Sequence, residues 1–478
     1  MNWSDLIPIA PLLIVSLTVL LLLAHICWRR SRLMGAAITT AGLVTAMMVN
    51  WFYYPEATLQ VTQLLAADPV SALFNLLILV SAISVTLFHH QYSERYDEVQ
   101  EEFYLLLLLA TVGALVLVSA THVATLVLGL ELLSLSSIAM LAYSREREQC
   151  MEAAFKYLIL SAAASAFLLF GLALIYLQAG SLLLGDMLQA ALHSEGHLLF
   201  LLAMAMVLTG VGYKLSLVPF HWWTPDVYEG APLSAGLMLA TLSKVAVFAI
   251  LMKMVMALGN NLSNEIYQLL AILAITSMVL GNVLALKQDN LKRILAFSAV
   301  AHMGYVLVAA IVALKLDNQL ILQGAIYYLF AYILASITLF AILTSMSGLE
   351  QKQDCETLDA IEGLFWRAPW LATGMILALL SLAGMPITIG FVAKFYVLNI
   401  AVESQAWWLV TAMIVGSGIA IFYYLRWIFT LLKPSNIREK ARISPLNFVW
   451  LFGVGSMLLV IGVLPGLVGN ILNQVLGG

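Results

Sequence analysis

The segment from Gly212 to Pro232, GYKLSLVPFHWWTPDVYEGAP, constrains the fold of this chain more than any other. It places Lys214 and His221 in an apolar setting beside the helix-breaking Pro219. Proline has no backbone N–H, so carbonyl groups one turn earlier lose their helical partner, and lipid cannot supply another. The segment therefore predicts a broken membrane helix that faces protein or a water-filled cavity.

The composition is that of an integral membrane protein. The 478 residues are 63% hydrophobic and 10% charged, whereas a soluble protein carries about 25% charged residues. A helix needs about 20 apolar residues to cross the roughly 30 Å hydrocarbon layer, and such runs recur throughout. The fourteen predicted spans are 6–28, 33–54, 71–90, 102–119, 121–143, 152–179, 197–224, 231–257, 265–286, 292–314, 319–347, 367–401, 406–432 and 446–472.

The distribution of Lys and Arg sets the predicted orientation of this all-α polytopic fold. Connections after odd-numbered spans hold 15 of these cations, and connections after even-numbered spans hold one, Lys315. Cytoplasmic loops carry the excess of positive charge, so the odd connections should be cytoplasmic and both termini periplasmic. The connection 180–196, with Asp186, His193 and Glu195, is predicted to form an external amphipathic turn.

Four charged residues lie deep within predicted spans: Glu131, Lys214, Lys244 and Lys394. Insertion of such a residue at a helix centre costs about 2.5 to 3.5 kcal/mol, so the four oppose insertion by roughly 10 to 14 kcal/mol unless paired or hydrated. We therefore expect them to be functional.

Three further cations lie nearer the ends of their spans. For Lys253 and Arg426 the simpler interpretation is snorkelling to the interface, and for Lys156 snorkelling and function are equally open.

Sequence spacing predicts an internal repeat. The separation along the chain between Glu131 and His302 is close to the separation between Lys214 and Lys394. Both spacings pair helices that are five positions apart in the chain. Because five is an odd number, the second copy of the repeat must enter the membrane from the opposite side, which gives an inverted repeat. The predicted units are a three-helix segment (1–101), two five-helix repeats (102–257 and 265–432) and a C-terminal helix (446–478).

The second repeat also contains a predicted broken helix. Its segment SLAGMPITIGFVAKF holds Pro386 and glycines in an apolar run with Lys394. Broken helices at corresponding positions of two repeats indicate a transport site near the membrane midplane. The repeat partner of Lys244 falls near Tyr424, which is not an amine.

Buried lysines near a carboxylate are suited to proton transfer. Low dielectric favours the neutral amine, and a carboxylate at 4 Å favours the charged amine by roughly 4 kcal/mol at an effective dielectric of about 20. Moving one charge against ~150 mV costs about 3.5 kcal/mol, a comparable amount. Our hypothesis is that a Glu131–Lys214 pair makes and breaks to load Lys214, and that Lys244, His302 and Lys394 continue the path.

Other functional groups are sparse. Asp226 and Glu229 follow the first broken helix and are open to three interpretations: a proton entrance, loop solvation or helix capping. His221 and His302 show no HExxH spacing, so no metal site is expected. The three cysteines are isolated, no dinucleotide, P-loop or haem motif is present, and no basic patch indicates nucleic acid. Any oxidoreduction would have to occur in other subunits.

The chain resembles the proton-translocating, antiporter-like membrane subunits of respiratory complex I. The resemblance rests on KLSLVPFHWWTPDVYEGAP and, in family order, on EFYLLLLLATVGA, LGLELLSL, KYLILSAAASAFLLFG, SKVAVF, NLKRILAFSAVAHMGY, GLFW and SLAGMPITIGFVAKFYVL. The related M and L subunits usually carry an HTWLPD-type sequence where this chain reads HWWTPD, and M usually has glutamate in place of Lys394. A long C-terminal lateral helix like that of L is not expected after the fourteenth span.

The resemblance implies roles for these residues. Glu131 would be the modulating acid, Lys214 the loading lysine, Lys244 the central relay, His302 a connecting group and Lys394 the distal lysine. Lys156 and His221 match family positions with weaker implied roles.

It also implies that NADH, FMN, iron–sulfur clusters and quinone belong to partner subunits and that this chain holds no cofactor. The expected partners are the other complex I membrane subunits, including neighbouring antiporter-like subunits, within the lipid bilayer of the bacterial inner membrane.

Two other functions remain open from sequence. One is a subunit of a multisubunit cation/proton antiporter, which shares the fold and the charged axis. The other is a non-pumping assembly scaffold whose lysines hold helices together through buried pairs. A stand-alone solute carrier is not favoured, because no substrate-sized polar constellation is present beyond the titratable residues.

Overall fold

The computed structural model describes residues 7–55, 57–96, 101–144, 147–193, 196–259, 264–316, 319–347, 355–434 and 444–476. These residues are helical except for connections and one antiparallel hairpin of strands β1 (Leu59–Gln60) and β2 (Ala66–Ala67). The helices in chain order are α1 (Ala10–Trp28), α2 (Arg32–Phe52), α3 (Pro69–Tyr96), α4 (Glu101–Val118), α5 (Val123–Leu141), α6 (Glu148–Ala179), α7 (Leu184–Leu192), α8 (His197–Leu215), α9 (Trp223–Gly230), α10 (Leu233–Met238), α11 (Lys244–Leu258), α12 (Asn264–Leu286), α13 (Leu291–Ala313), α14 (Gln319–Met346), α15 (Leu364–Arg367), α16 (Pro369–Ala383), α17 (Ile389–Glu403), α18 (Trp407–Leu432), α19 (Pro445–Val463) and α20 (Gly466–Leu476).

The helices account for the fourteen predicted spans. Within the described ranges, 13 helical segments are long and apolar enough to cross a membrane, counting the continuous run of α10, a π-helical turn (Leu239–Ser243) and α11 as one. The remaining predicted span, 367–401, is divided between the shorter α16 and α17. The predicted division between the fourth and fifth spans is confirmed, since α4 ends at Val118 and α5 begins at Val123. The predicted all-α polytopic fold is correct.

The last predicted span is too long. α19 ends at Val463, and a separate helix, α20, begins at Gly466. Pro465 explains the interruption, because proline lacks the N–H that would continue the ladder and disfavours helical geometry at the preceding residue. The apolar run to residue 472 therefore overestimated the span.

The core of the molecule lies where the interrupted helices meet. α13 and the α10–α11 run are surrounded by other helices along their length, and α14 nearly so, whereas α1, α6 and α19 leave most of their surface outside. Asn290 begins α13 as an N-cap, its side-chain oxygen accepting from the amides of Lys292 and Arg293. Buried polar residues on these central helices can therefore be reached only through the protein.

The connection predicted as an external turn contains the short helix α7. Its apolar residues Leu184, Met187, Leu188 and Ala191 are buried, and Asp186 lies in its first turn. Glu195 lies outside the described residues, as do Arg145, Lys352, Arg438, Lys440 and Arg442 of the charge count. Which membrane side each connection faces stays a prediction.

Glycines allow two helix pairs to approach closely. A Cβ on Gly129 of α5 would lie 2.9 Å from the amide nitrogen of Leu117 on α4. A Cβ on Gly281 of α12 would lie 2.8 Å from the amide nitrogen of Ala301 on α13. Close backbone contact at small residues is a main source of helix association in membranes. These contacts fix α5 and α13, which carry Glu131 and His302.

We expect Gly129→Ala to destabilise the folded protein by about 1 to 3 kcal/mol, because the added methyl meets backbone that cannot move alone. Unfolding of the purified protein in detergent measures the change. Gly418→Ala is the matched control, since a Cβ there meets no atom within 4 Å. Equal stability of the two variants would show that the α4–α5 contact is not tight.

Candidate functional site

The first broken helix consists of α8 and α9, and the protein itself satisfies the groups freed by the break. The indole N–H of Trp223 donates to the carbonyl of Tyr213 at 2.9 Å. The amine of Lys244 donates to the carbonyl of Lys214 at 3.0 Å. The broken helix predicted from Pro219 is confirmed, and one of the deep lysines supplies a partner for its backbone.

The amine of Lys214 lies among hydroxyl groups. Lys214 is 5% exposed and donates to Ser134 on α5 and to Ser161 on α6, the latter at 2.7 Å. Its nitrogen also lies 5.9 Å from the ring centroid of Tyr157. Hydroxyl oxygens can accept from an ammonium group and can donate to a neutral amine. This environment accommodates both protonation states.

Glu131 does not pair directly with Lys214. Among the described residues no salt bridge joins this half-buried carboxylate to the amine, which is the open state of a pair that makes and breaks. The Glu131–Lys214 pair stays a prediction. Glu131 instead accepts from the hydroxyl of Ser165 at 2.6 Å. Ser165 lies one helical turn from Ser161, which contacts Lys214. Two serines on one face of α6 thus separate the acid from the amine.

Lys244 lies at the centre of the molecule and is fully buried. Besides the carbonyl of Lys214, its amine contacts the hydroxyl of Ser216, which follows the end of α8. It also lies 5.0 Å from the ring centroid of Trp223, a cation–π distance. Lys244 therefore connects the end of α8 with the start of α9.

At the second broken helix a lysine amine also bonds to a backbone carbonyl beside the break. α16 ends at Ala383, and Gly384 follows with a left-handed φ of 80°. The amine of Lys394 on α17 donates to the carbonyl of Ala383 at 2.9 Å and lies 5.1 Å from the ring centroid of Tyr305. The predicted second break is confirmed.

The two lysines lie on opposite sides of their helix breaks along the chain. The first half-helix, α8, ends just before Ser216, and the second, α16, ends just before Gly384. Lys214 therefore precedes its break, whereas Lys394 follows its own. The five-helix repeat, with its pairing of these two lysines, stays a prediction.

His302 on α13 lies within a cluster of tyrosines. It is 4% exposed, with Nδ1 2.7 Å from the hydroxyl of Tyr328 and Nε2 3.3 Å from that of Tyr424. Tyr424 also hydrogen bonds to Ser298, one turn before His302. The position that the sequence paired with Lys244 is therefore part of the polar axis, with a phenol in place of an amine.

A small cavity separates His302 from Lys394. Its volume is about 10 Å³, and Tyr328, Tyr332 and Ser381 line it with these two residues. That volume is close to the minimum that holds one water molecule, and the lining offers polar partners for it.

His221 lies at the junction between the two halves of the axis. The residue is 3% exposed, and neither ring nitrogen has a hydrogen-bond partner in the described part of the chain. Its ring centroid lies 6.3 Å from that of Phe297, the neighbour of Ser298. No direct hydrogen bond between described residues joins Lys244 to the His302 cluster, so this junction is where water is needed.

Asp226 lies at one end of the axis in an ion-pair cluster. Its carboxylate lies 2.9 Å from the exposed amine of Lys156 and 3.0 Å from Arg293, which also contacts Glu229 at 2.6 Å. Partial burial acts to raise the pKa of Asp226, but the hydrogen bonds and charges of Lys156 and Arg293 outweigh it and lower the pKa. The carboxylate is therefore ionised at neutral pH.

The burial of Lys292 and the ion pair of Lys253 were not predicted from the sequence. Lys292 is 2% exposed and donates to the carbonyl of Ala231 at 3.0 Å, but its place at a helix start suggested a loop cation. Lys253 forms an ion pair with Asp68 at 3.0 Å, so snorkelling alone does not describe it. Arg426 likewise bonds to the carbonyl of Gln288.

Comparison with known proteins assigns the chain to a family. Residues 120–420 match the family described as NADH:quinone oxidoreductase/Mrp antiporter, TM. The chain belongs to this family. In the solved respiratory complex I from Thermus thermophilus with bound aureothin, one chain is 32% identical, with a TM-score of 0.84 and coverage of 97% of this chain and 99% of that chain.

Two more distant structures share the fold. A chain of the archaeal membrane-bound sulfane sulfur reductase is 20% identical, with a TM-score of 0.85 and coverage of 99% and 96% of the two chains. A chain of the Mrp complex from Dietzia sp. is 17% identical, with a TM-score of 0.84 and coverage of 100% and 97%. All three relatives are chains of larger complexes.

We expect Gly384→Ala to displace Lys394. The added Cβ would lie 2.7 Å from Cδ and 3.1 Å from Nζ of Lys394, and the left-handed backbone disfavours alanine by about 1 to 2 kcal/mol. The purified protein should lose about that much unfolding free energy. Gly374→Ala on α16 is the matched control, because its Cβ would meet only side chains at 3.5 Å or more. Equal stabilities would contradict the close contact with Lys394.

Proposed function

We propose that this chain is a proton-translocating membrane-arm subunit of a bacterial NADH:quinone oxidoreductase. The observation that carries the proposal is a series of titratable residues that lies beside both broken helices and contacts hydroxyl and carbonyl groups. Its members are Glu131, Lys214, Lys244, His302 and Lys394. Charged groups in membrane interiors are costly and mark ion or proton pathways.

Proton loading begins at Lys214. Its serine partners tolerate an ammonium or a neutral amine, so its protonation state responds to charge nearby. Ser165, which bonds to Glu131, lies one helical turn from Ser161, which bonds to Lys214. Movement of the Glu131 carboxylate toward Lys214 would favour the charged amine. A modulating acid needs this separation, because a permanent ion pair would hold the proton on the lysine.

The proton then moves from Lys214 toward Lys244. Ser216 and the Lys214 carbonyl hold the Lys244 amine at the end of α8. Because the lysines are linked through this segment, a shift of the broken helix changes both sites together. Asp226 in the first turn of α9 and Lys156 on α6 are accessory, forming a charged entrance whose contacts restrain α9.

The second half of the path runs from His221 to Lys394. His221 fills the junction with two unsatisfied ring nitrogens, which water bridges to the Ser298–Tyr424–His302 cluster. One water molecule in the cavity between His302 and Lys394 completes the connection. Lys394 is the distal lysine from which the proton leaves.

Electron transfer is assigned to other subunits. In this proposal FMN, the iron–sulfur clusters and the quinone belong to partner subunits, and conformational or electrostatic changes from neighbouring membrane subunits drive the axis. The chain lies in the bacterial inner membrane with both termini in the periplasm. Its units are the three-helix segment 1–101, the inverted repeats 102–257 and 265–432, and the helix 446–478.

Within complex I we assign the chain to subunit N. The motif HWWTPD from His221 to Asp226 and a lysine at position 394 support this choice over the M and L types. The 32% identity to a complex I chain over almost the full length of both chains is compatible with it.

Two alternatives are less well supported. A cation/proton antiporter subunit shares the fold, but the chain from the Mrp complex is only 17% identical. Genes for a dehydrogenase or for an antiporter beside this gene would discriminate. In a non-pumping scaffold the lysines would form buried ion pairs, but Lys214, Lys244 and Lys394 contact hydroxyl and carbonyl oxygens instead.

We expect Lys214→Met to abolish proton pumping by the assembled complex, because the neutral side chain can neither bind a proton nor respond to Glu131. Loss of a proton-transfer group slows a reaction by about 10²-fold or more. Inverted membrane vesicles report pumping and NADH oxidation together, and blue-native gels confirm assembly. Lys287→Met is the control, since Lys287 is exposed.

Normal pumping by the assembled Lys214→Met complex would exclude the proposed axis. Combining Lys214→Met with Glu131→Gln tests the scaffold alternative. A scaffold tolerates replacement of both partners, whereas a proton path stays closed.

A further inference from the structure

A third buried histidine lies outside the axis described above. His89 on α3 is 1% exposed and stacks on Phe103 of α4, with ring centroids 3.5 Å apart. Its Nδ1 lies 2.9 Å from the hydroxyl of Ser234, the second residue of α10. Its Nε2 has no hydrogen-bond partner among the described residues. A buried polar atom without a protein partner is the usual position of an ordered water molecule.

A buried acid lies on the outer side of His89. Glu101 at the start of α4 is 1% exposed, and its Oε2 accepts no hydrogen bond within the described ranges. This oxygen lies 4.0 Å from Nε of Arg30, whose side chain is 60% exposed. Tyr104, one turn along α4, contacts the edge of the His89 ring at 5.4 Å between centroids. Glu101 and Tyr104 also face the same point on α2, at Gly35.

Buried hydroxyl groups continue from His89 toward Lys214. Ser234 lies one turn before Met238 on α10, and the sulfur of Met238 lies 3.9 Å from the hydroxyl of Ser137 on α5. Ser137 lies one turn from Ser134, which contacts the Lys214 amine. Each of these three serines is at most 3% exposed.

We infer that Glu101, His89, Ser234, Ser137 and Ser134 form a second hydrated proton access route to Lys214. The inference rests on the proposed function, because it supplies the same lysine. The route runs along the contacts of α3 with α4 and with α10 and is separate from the Asp226 cluster, which lies against α6 and α13. The N-terminal helices thereby contribute directly to transfer.

The steps balance as a proton relay. Water at the surface beside Arg30 gives a proton to Glu101, which passes it through water to Nε2 of His89. The imidazolium releases its Nδ1 proton to Ser234, and the Nε2–H tautomer left behind returns to the Nδ1–H tautomer by proton exchange through water. Because the thioether of Met238 cannot carry a proton, water beside it links Ser234 to Ser137. Ser134 then delivers the proton to neutral Lys214, with no other group changed.

The test uses the assembled complex in inverted vesicles. In His89→Gln the amide can still bond to Ser234 but cannot accept and release a proton. We expect the pumping rate to fall about threefold to tenfold, less than the roughly 10²-fold for a relay without a parallel route. His90→Gln is the control, because this neighbouring histidine is partly exposed and contacts Glu94 at 3.5 Å.

Chemical rescue separates proton transfer from packing. His89→Ala leaves a ring-sized space, and added imidazole should restore at least half of the lost pumping rate, whereas the non-titrating analogue thiazole should not. If His89→Gln pumps at the rate of His90→Gln, or if imidazole and thiazole act equally on His89→Ala, the second route is wrong. Lys214→Met measured in parallel distinguishes the cases: normal pumping by that variant overturns the proposed function, not only this route.

Discussion

The structure depends on lysine amines bonding to the carbonyl groups that two broken helices leave free. An interrupted helix in a membrane must find partners for its backbone within the protein. Here the amine of Lys244 donates a hydrogen bond to the carbonyl of Lys214, and the amine of Lys394 donates one to the carbonyl of Ala383. The same amines are the titratable groups of the axis. Backbone geometry and protonation are therefore coupled, because a neutral amine donates a weaker hydrogen bond to the carbonyl than an ammonium group does.

The choice of neutral oxygens as lysine partners has a functional consequence. A carboxylate in contact with a buried lysine would favour the ammonium by several kcal/mol, and the proton would stay bound. Hydroxyl and carbonyl oxygens satisfy the amine without adding a full negative charge. Glu131, an acid near Lys214, is held apart from it by serines on α6. Small movements of that acid can therefore change the affinity of the lysine for a proton.

Sequence predicted the features that are costly in a membrane and missed those that are not. Lys214, Lys244 and Lys394 were identified because a charge within an apolar run is rare and expensive. Ser134 and Ser161 were not, since serine is common in membrane helices and its partner depends on helix packing. Tyr424 was recognised only as a mismatch with Lys244. Its contact with His302 joins residues 122 positions apart, which periodicity cannot predict.

Glu131 lies where the axis reaches the outside of the chain. It is near the middle of α5 and only half-buried, and its neighbours Leu128 and Leu135 are 69% and 58% exposed. A carboxylate at that depth is unstable against hydrocarbon, so under the proposed function a neighbouring membrane subunit covers this face. Under the proposed function, a charge on that neighbour acts on Glu131 across the contact and, through the serines of α6, on Lys214. The residue that modulates loading is thus also accessible to a partner subunit.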